Sequence, residues 1–278
     1  MSLGAMNIDY CNLSEFELTE LHRNNMITYN RFWSNSDKVN YVQEDDHSRR
    51  ETAYTFPWLN QVQHVKIMEN PEKRINEIVS NLIRKGYKSI SWLILPFDQP
   101  ENLDKLLLDF GFKPFWSNMY LMFSNINQVK EQKIPDLEIK PVRSEEEMRI
   151  FFDFWVEVYK SLSGMAEYMY QMECDCGYTS KLPRQNFIGY LSGEPVSVST
   201  LLMDGKVAGV YSVSTRKDVD SWEKIDAAVG RYPLQTAKSQ RYRVGVAQTG
   251  EGGLERYRRY GFIENKNLCY NSFIYSVE

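Results

Sequence analysis

Hydrophobic and polar positions follow two different periods along this chain, and the order in which those periods alternate is its most informative property. Val62 to Met68 reads as a strand. Pro71 to Lys85 then puts Ile75, Ile78, Val79, Leu82 and Ile83 on one helical face, with proline at the start and Gly86 at the stop. Ser89 to Leu95 is a short apolar strand, and Leu103 to Phe110 is a helix closed by Gly111 and Phe112. The same order returns further on. Val207 to Thr215 reads as strand, Ile225 to Gln240 as helix, Arg243 to Ala247 as strand, and Leu254 to Tyr260 as helix closed by Gly261 and Phe262. A repeat of this kind constrains architecture more than any single motif.

Each half also begins on a Ser-x-x-Glu capping box, Ser14 with Glu17 and Ser144 with Glu147, followed by aromatic-rich amphipathic helices. The polar stretch from Ser124 to Pro135 separates the halves, so the expected domains are 1–128 and 129–278. In the second half, Phe187 to Leu191 and Val196 to Met203 flank a turn at Ser192-Gly193-Glu194-Pro195 and predict a hairpin; Asp204-Gly205 turns into the next strand. The predicted class is α/β: two halves, each a mixed, mostly antiparallel sheet with helices on both faces. Gly230 and Pro233 conflict with the long helix around them, and predict a kink or a late helix start.

The length, 278 residues, suits two domains, and 42% hydrophobic with 25% charged residues excludes a disordered chain. The net charge of −4 argues against nucleic acid as a partner, and no apolar run approaches the ~20 residues of a membrane helix. The basic clusters, Arg49-Arg50 and Arg256, Arg258 and Arg259, are too narrow to change that. Cys11, Cys174, Cys176 and Cys269 form no disulfide framework, and with His22, His47 and His64 they show no zinc spacing, so no metal is expected. The start of the chain lacks the basic and apolar regions of a secretion signal, which predicts a cytoplasmic protein.

Three segments carry a family resemblance: Gly209-Val-Tyr-Ser-Val-Ser-Thr215, Arg243-Val-Gly-Val-Ala-Gln248, and Gly253-Leu-Glu-Arg-Tyr-Arg-Arg-Tyr-Gly-Phe262. Together they resemble the core of the GNAT acyl-CoA N-acyltransferases. Phe56-Pro-Trp-Leu-Asn60, Ser91-Trp-Leu-Ile-Leu-Pro96 and Leu103 to Phe112 are similar to the first half of double-GNAT proteins, which join a degenerate half to a catalytic one. The resemblance implies two GNAT-like halves and transfer of an acetyl group from acetyl-CoA to an amine of a small molecule or protein. It also implies that the strands 207–215 and 243–248 splay apart, with backbone amides near Val213 and Thr215 facing the cofactor. The family's proton donor to the departing thiolate is a Tyr four residues before the Gly-Phe pair, here Tyr257; the matching first-half residue is Leu107, which has no proton to give. Packing of an aromatic ring on a helix face is the alternative role for Tyr257.

The cofactor's phosphates present a departure. The family binds them on a glycine-rich loop opening a helix, where backbone N–H groups and the helix dipole meet the anion. This chain reads Asp218-Val-Asp-Ser-Trp-Glu-Lys-Ile-Asp-Ala-Ala228 there, so the glycine positions become Trp222, Lys224 and Asp226. Asp218, Asp220, Glu223 and Asp226 would repel a diphosphate, offset in part by Arg216, Lys217 and Lys224. Gly250 stands where the family usually has Ser or Asn. The expected cofactor contacts are Val213, Thr215, Ser221, Trp222, Lys224 and Gly253. Two readings follow: an N-acetyltransferase that holds phosphates with side chains, or a catalytically silent GNAT-like protein that binds a ligand or another protein.

For the acceptor, residues 163–178 combine Glu167, Glu173 and Asp175 with Tyr168, Tyr170 and Tyr178. An acidic, aromatic lining suits a cationic amine. The same composition also makes a solvated helix face over a Met-rich core. No general base is assigned, since a water chain serves as well as a side chain.

Overall fold

The computed structural model describes residues 10–158 and 163–277. The first half runs α1 (Glu15–Phe32), β1 (Val39–Gln43), β2 (Ser48–Thr52), β3 (Gln61–Gln63), α2 (Pro71–Arg84), β4 (Ser89–Ile94), α3 (Leu103–Asp109) and β5 (Lys113–Asn125). The second runs β6 (Leu137–Pro141), α4 (Glu145–Val158), α5 (Ser163–Cys176), β7 (Arg184–Leu191), β8 (Glu194–Met203), β9 (Ala208–Thr215), α6 (Trp222–Ser239), β10 (Val244–Thr249), α7 (Leu254–Tyr260) and β11 (Ile263–Ser276).

All eleven strands form one sheet, in the order β1-β2-β3-β4-β11-β5-β10-β9-β8-β7-β6. The halves therefore exchange strands: β5 of the first pairs with β10 of the second, and β11 of the second pairs with β4 of the first. The two exchanged strands are long, and they also pair with each other antiparallel, from Lys113–Ile274 to Phe123–Ile263, through several bulges. The β3/β4 and β9/β10 pairs are parallel, each joined by a crossover helix, α2 or α6.

Period-2 alternation divides the core. On β5, Leu121 and Phe123 face the cluster under α1, α4 and α5, while Met122 faces the one under α6 and α7. A third cluster joins Ile75, Ile78, Val79 and Leu82 of α2 to Val62, Ile90 and Trp92. Fully burying side chains of this size is worth ~1.5–3 kcal/mol each, which explains why so regular a stripe was legible.

Several boundaries differ from the sequence-based expectation. The strand expected over 62–68 ends at Gln63, because the chain turns at His64 with φ 57°. The hairpin turn is two residues, Ser192-Gly193, both at positive φ, so Glu194 and Pro195 belong to β8. The long helix starts early, at Trp222, and continues through Pro233 to Ser239. Gly230 is required there by α7: a Cβ at that position would lie 2.7 Å from the Tyr260 ring. The Ser14 box closes as expected, with Glu17 N–H donating to Ser14 Oγ and Ser14 N–H to Glu17 Oε2 (2.8 Å). At the second box, Glu147 N–H donates to Ser144 Oγ, but the Glu147 carboxylate accepts from Arg143 N–H instead.

Candidate active site

The site begins with a break in the sheet. β9 and β10 pair only at Ala208–Gly245 and Gly209–Val246; beyond these residues the strands separate. A bulge in β9 accompanies the separation. Thr200 and Val198 of β8 pair with Tyr211 and Ser214, so Ser212 and Val213 together oppose Ser199, and Ser212 takes φ 51°. An extra residue bends and twists its strand, which carries the end of β9 away from β10.

The first half has the same pair of strands without the same opening. Past β3, Val65 C=O accepts from Gln99 N–H (2.9 Å), and Ile67 N–H donates to Gln99 C=O (3.1 Å). The chain's own loop thus takes the backbone groups that splayed strands would offer. Leu107, the counterpart of Tyr257, is fully buried in the core under α2 and α3.

A cavity of about 220 Å³ lies at the opening of β9 and β10. Val210, Tyr211, Ser212, Gln248 and Tyr257 line it from the second half, together with Tyr270, Trp155, Met165 and Met169. The first half supplies Met26, Tyr29 and Asn30 from α1, and Trp58, Gln61, Leu93, Trp116 and Met119 from around β3, β4 and β5. No described residue of this lining is charged. The Oε1 atoms of Gln61 and Gln248 are buried and have no hydrogen-bond partner.

Helix α1 holds this floor in place. His22 Nε2 contacts Ala247 C=O of β10 at 2.8 Å, and burial pushes the His22 pKa down to about 4 against that contact, so the ring is neutral and donates. Tyr211 O–H donates to Asn25 Oδ1 (2.6 Å), and Tyr211 stacks on Tyr29 at 4.2 Å. Arg50, fully buried, lies 4.7 Å from the ring centres of both Trp33 and Trp58 and donates to Asn30 Oδ1 (2.9 Å) and to the carbonyls of Leu59 and Trp58. Burial pulls its pKa down to about 9. Arg50 thereby fixes two lining residues, Asn30 and Trp58, a role that the sequence did not signal.

A second cleft, of about 450 Å³, opens where β9 ends. It is lined by Thr215, Lys217, Trp222, Gly252, Gly253, Arg256 and Arg259, with Glu255 and Val158. The Nε of Arg259 is buried and has no partner. Asp226 does not face this cleft as a repelling charge. It is fully buried and accepts from Thr215 Oγ1 (2.7 Å), Arg256 Nε (2.8 Å) and Tyr260 O–H (2.5 Å). Burial pulls the Arg256 pKa down, but hydrogen bonding to Asp226 more than offsets this and holds it raised. Asp218 is likewise paired, with Arg216. At the start of α6, Trp222 N–H donates to Val219 C=O and Lys224 N–H to Ser221 C=O, so both amides are used by the local turn.

Of the residues expected to contact cofactor, Thr215, Trp222 and Gly253 line this cleft together; Tyr257, the expected proton donor, lines the cavity. The Val213 side chain packs in the core under α6. Ser221 is the left-handed N-cap of α6, and the exposed Lys224 is outside the described lining. Gly253 has a structural reason as well, since a Cβ there would lie 2.0 Å from Thr249 Oγ1.

The acidic stretch of α5 does not line the cavity. Glu173 is buried against Arg184 (2.6 Å) and accepts from Trp33 Nε1 (2.8 Å). Glu167 pairs with Arg149, and Asp175 with Lys38 and Ser36. What α5 gives the cavity is Met165 and Met169. Elsewhere, Glu44, Asp46 and His47 cluster closely, but Arg49 and Arg74 already neutralise their carboxylates.

The fold defined by this sheet and its splayed strands is that of the GNAT N-acetyltransferases in tandem. The chain is similar in structure to a GCN5-related N-acetyltransferase from Kribbella flavida, with TM-score 0.66 and 16% identity over 90% of this chain and 94% of that one. It is also similar to a tandem GNAT protein from the clavulanic acid biosynthesis pathway (TM-score 0.59, 8% identity, 87% and 84% covered). A GCN5-related N-acetyltransferase from Sphaerobacter thermophilus gives TM-score 0.55 at 11% identity, with 84% and 82% covered. Neither a protein-family model nor a curated protein matches the sequence. Among the described residues, no helix is long and apolar enough to cross a membrane.

Proposed function

We propose that the protein is an acetyl-CoA-dependent N-acetyltransferase acting on an amine, with the chemistry in residues 129–278 and the floor of the acceptor cavity supplied by residues 1–128. The observation that carries this reading is the opening of β9 and β10, with Tyr257 at the cavity and a basic cleft where β9 ends. The donor set that would meet a diphosphate consists of side chains: Lys217 and Arg259 beside Trp222 and Gly253, with the Arg259 guanidinium also 3.6 Å from Glu223. Acetyl-CoA supplies the activated thioester. The amine nitrogen attacks the acyl carbon, forming the N–C bond; the C–S bond breaks, and the Tyr257 hydroxyl gives its proton to the departing thiolate. The amine's proton leaves by water, because no carboxylate or histidine is among the described residues of the cavity. We place the activity in the cytoplasm, where acetyl-CoA is at hand and a buried thiol such as Cys176 stays reduced.

The test is release of free CoA thiol together with an acetylated amine. Tyr257→Phe should slow transfer by about 10²-fold while leaving acetyl-CoA affinity unchanged. Lost affinity with turnover intact would refute the assigned role. The second reading, a silent binding module, is favoured by the consumed amides at the start of α6. It predicts ligand binding in the cavity with no thiol release.

A further inference from the structure

We propose that Gln248 seats the reacting amine as its neutral free base, by accepting one N–H on its Oε1 atom. The catalytic part rests on the acetyl-transfer reading above; the binding part does not.

The cavity asks for an uncharged partner. No described residue of its lining carries a carboxylate that could hold an ammonium. Behind the wall formed by Asn30 and Trp58 stands the buried Arg50, whose nitrogens donate to neutral oxygens: Asn30 Oδ1 and the Leu59 and Trp58 carbonyls. The groups that face Arg50 are Tyr29 from α1, Tyr41 from β1 and Arg184 from β7. Arg184 is already matched by Glu173 at 2.6 Å, so the charge of Arg50 is left uncompensated beneath the cavity. A second cation placed there would be repelled and would also lose its hydration. A neutral amine meets neither cost.

A neutral amine brings N–H donors, together with a lone pair that has to stay free for attack. Two side-chain acceptors of the cavity are buried without a partner, Oε1 of Gln61 and Oε1 of Gln248. Of these, Gln248 stands at the reaction: it lies on β10, two residues past the last pairing with β9 at Val246, and it lines the cavity with Tyr257. Gln61, on β3, is four strands away. An unpaired buried acceptor is costly, and an amine N–H removes that cost. The carboxamide is too weak a base to take the proton, so it holds the N–H while the lone pair forms the N–C bond. The nitrogen then carries a positive charge, which strengthens the same hydrogen bond. As the C–S bond breaks, the nitrogen loses its proton to water, the thiolate takes the Tyr257 proton, and water restores the Tyr257 hydroxyl.

The pH response of such a site belongs to the amine. His22, on α1 behind Ala247, is kept neutral by burial down to about pH 4, and burial raises the Tyr211 and Tyr270 hydroxyls above the ordinary phenol range. Tyr29 and Tyr257 are the other phenols of the lining.

The test uses 2,2,2-trifluoroethylamine, whose fluorines bring its ammonium pKa below neutrality and report binding by fluorine NMR. With the full chain and no cofactor, its resonance should broaden above that pKa and stay sharp below it. Gln248→Met, close in volume, should weaken binding about tenfold. Gln248→Glu should invert the preference toward the ammonium, a change that a merely structural role would not produce. In assays with acetyl-CoA, the acidic limb of kcat/KM should move between ethylamine and trifluoroethylamine by the difference in their solution pKa values. Gln248→Met should lower kcat/KM for the amine about tenfold with KM for acetyl-CoA unchanged. Binding of the ammonium by the wild type, unchanged affinity in Gln248→Met, or no broadening at either pH would overturn the proposal. Broadening with the expected pH dependence but no thiol release would support the seating by Gln248 and overturn acetyl transfer alone.

Discussion

Asp226 is the residue whose replacement separates this structure most sharply from its sequence. By alignment it takes a glycine's place in a phosphate loop, so replacing it would be expected to improve cofactor binding. In the structure it joins β9, α6 and α7 through Thr215, Arg256 and Tyr260. Asp226→Asn keeps the shape, removes the charge and leaves Arg256 uncompensated. Breaking a fully buried pair costs ~3–5 kcal/mol; Arg256 retains 27% side-chain exposure, so ~3 kcal/mol is the reasonable figure. With an unfolding entropy of roughly 2.1 cal/mol/K per residue, 278 residues give about 0.6 kcal/mol/K, and the loss lowers Tm by ~5 °C. Differential scanning calorimetry of Asp226→Asn, Arg256→Met and the double variant measures the loss and the coupling, expected near 2 kcal/mol. A Tm within 1 °C of wild type, or coupling below ~0.5 kcal/mol, would refute the pinning role.

Three further outcomes follow from the packing. Gly230→Ala should destabilise by ~1–3 kcal/mol despite alanine's better helix propensity, because the ring it meets is tethered to Asp226; a rise in Tm would show that the ring can move. Gln61→Met should leave Tm unchanged or raise it, as it removes an unpaired buried acceptor; a fall of several degrees would reveal a partner for that amide. His22, with its pKa lowered to about 4, gives stability that is complete above pH ~6.5 and is lost as pH falls toward 4, on the order of 3 kcal/mol. Asp98, raised to about 6 by burial against the opposing bond from Arg23, acts with the opposite sign as pH falls from 6 to 4. His22→Gln keeps a donor without the titration, so its denaturant stability should fall less over that range; an unchanged slope would contradict the assignment.

The elements legible in the sequence are those whose stability comes from regular apolar stripes, such as α2 and β4, and those closed by Gly-Phe. β2 was illegible for the opposite reason: Ser48, Arg49, Arg50, Glu51 and Thr52 are all buried, and polar partners rather than hydrophobic alternation satisfy them. The strand exchange of β5 and β11 is a long-range pairing, and nothing local to either strand encodes its partner. At the candidate site, Tyr257, Thr215, Trp222 and Gly253 were expected from the family resemblance, and the structure places Tyr257 on the cavity and the other three on the cleft. The cavity walls from α1, β3 and β5 were not expected, because they come from the half with no catalytic motif. Glu173 misled because acidic composition does not reveal a buried arginine partner 11 residues away.

The proposed function requires that the opened strands and the basic cleft take up acetyl-CoA without a glycine-rich loop. Thermal unfolding with rising acetyl-CoA and CoA tests it directly. Ligand at ~100 times its Kd adds ~2.7 kcal/mol, which for this chain is a Tm rise of ~4–5 °C, and Arg259→Ala should shift the curve to higher concentration. No rise at millimolar acetyl-CoA or CoA would contradict the account.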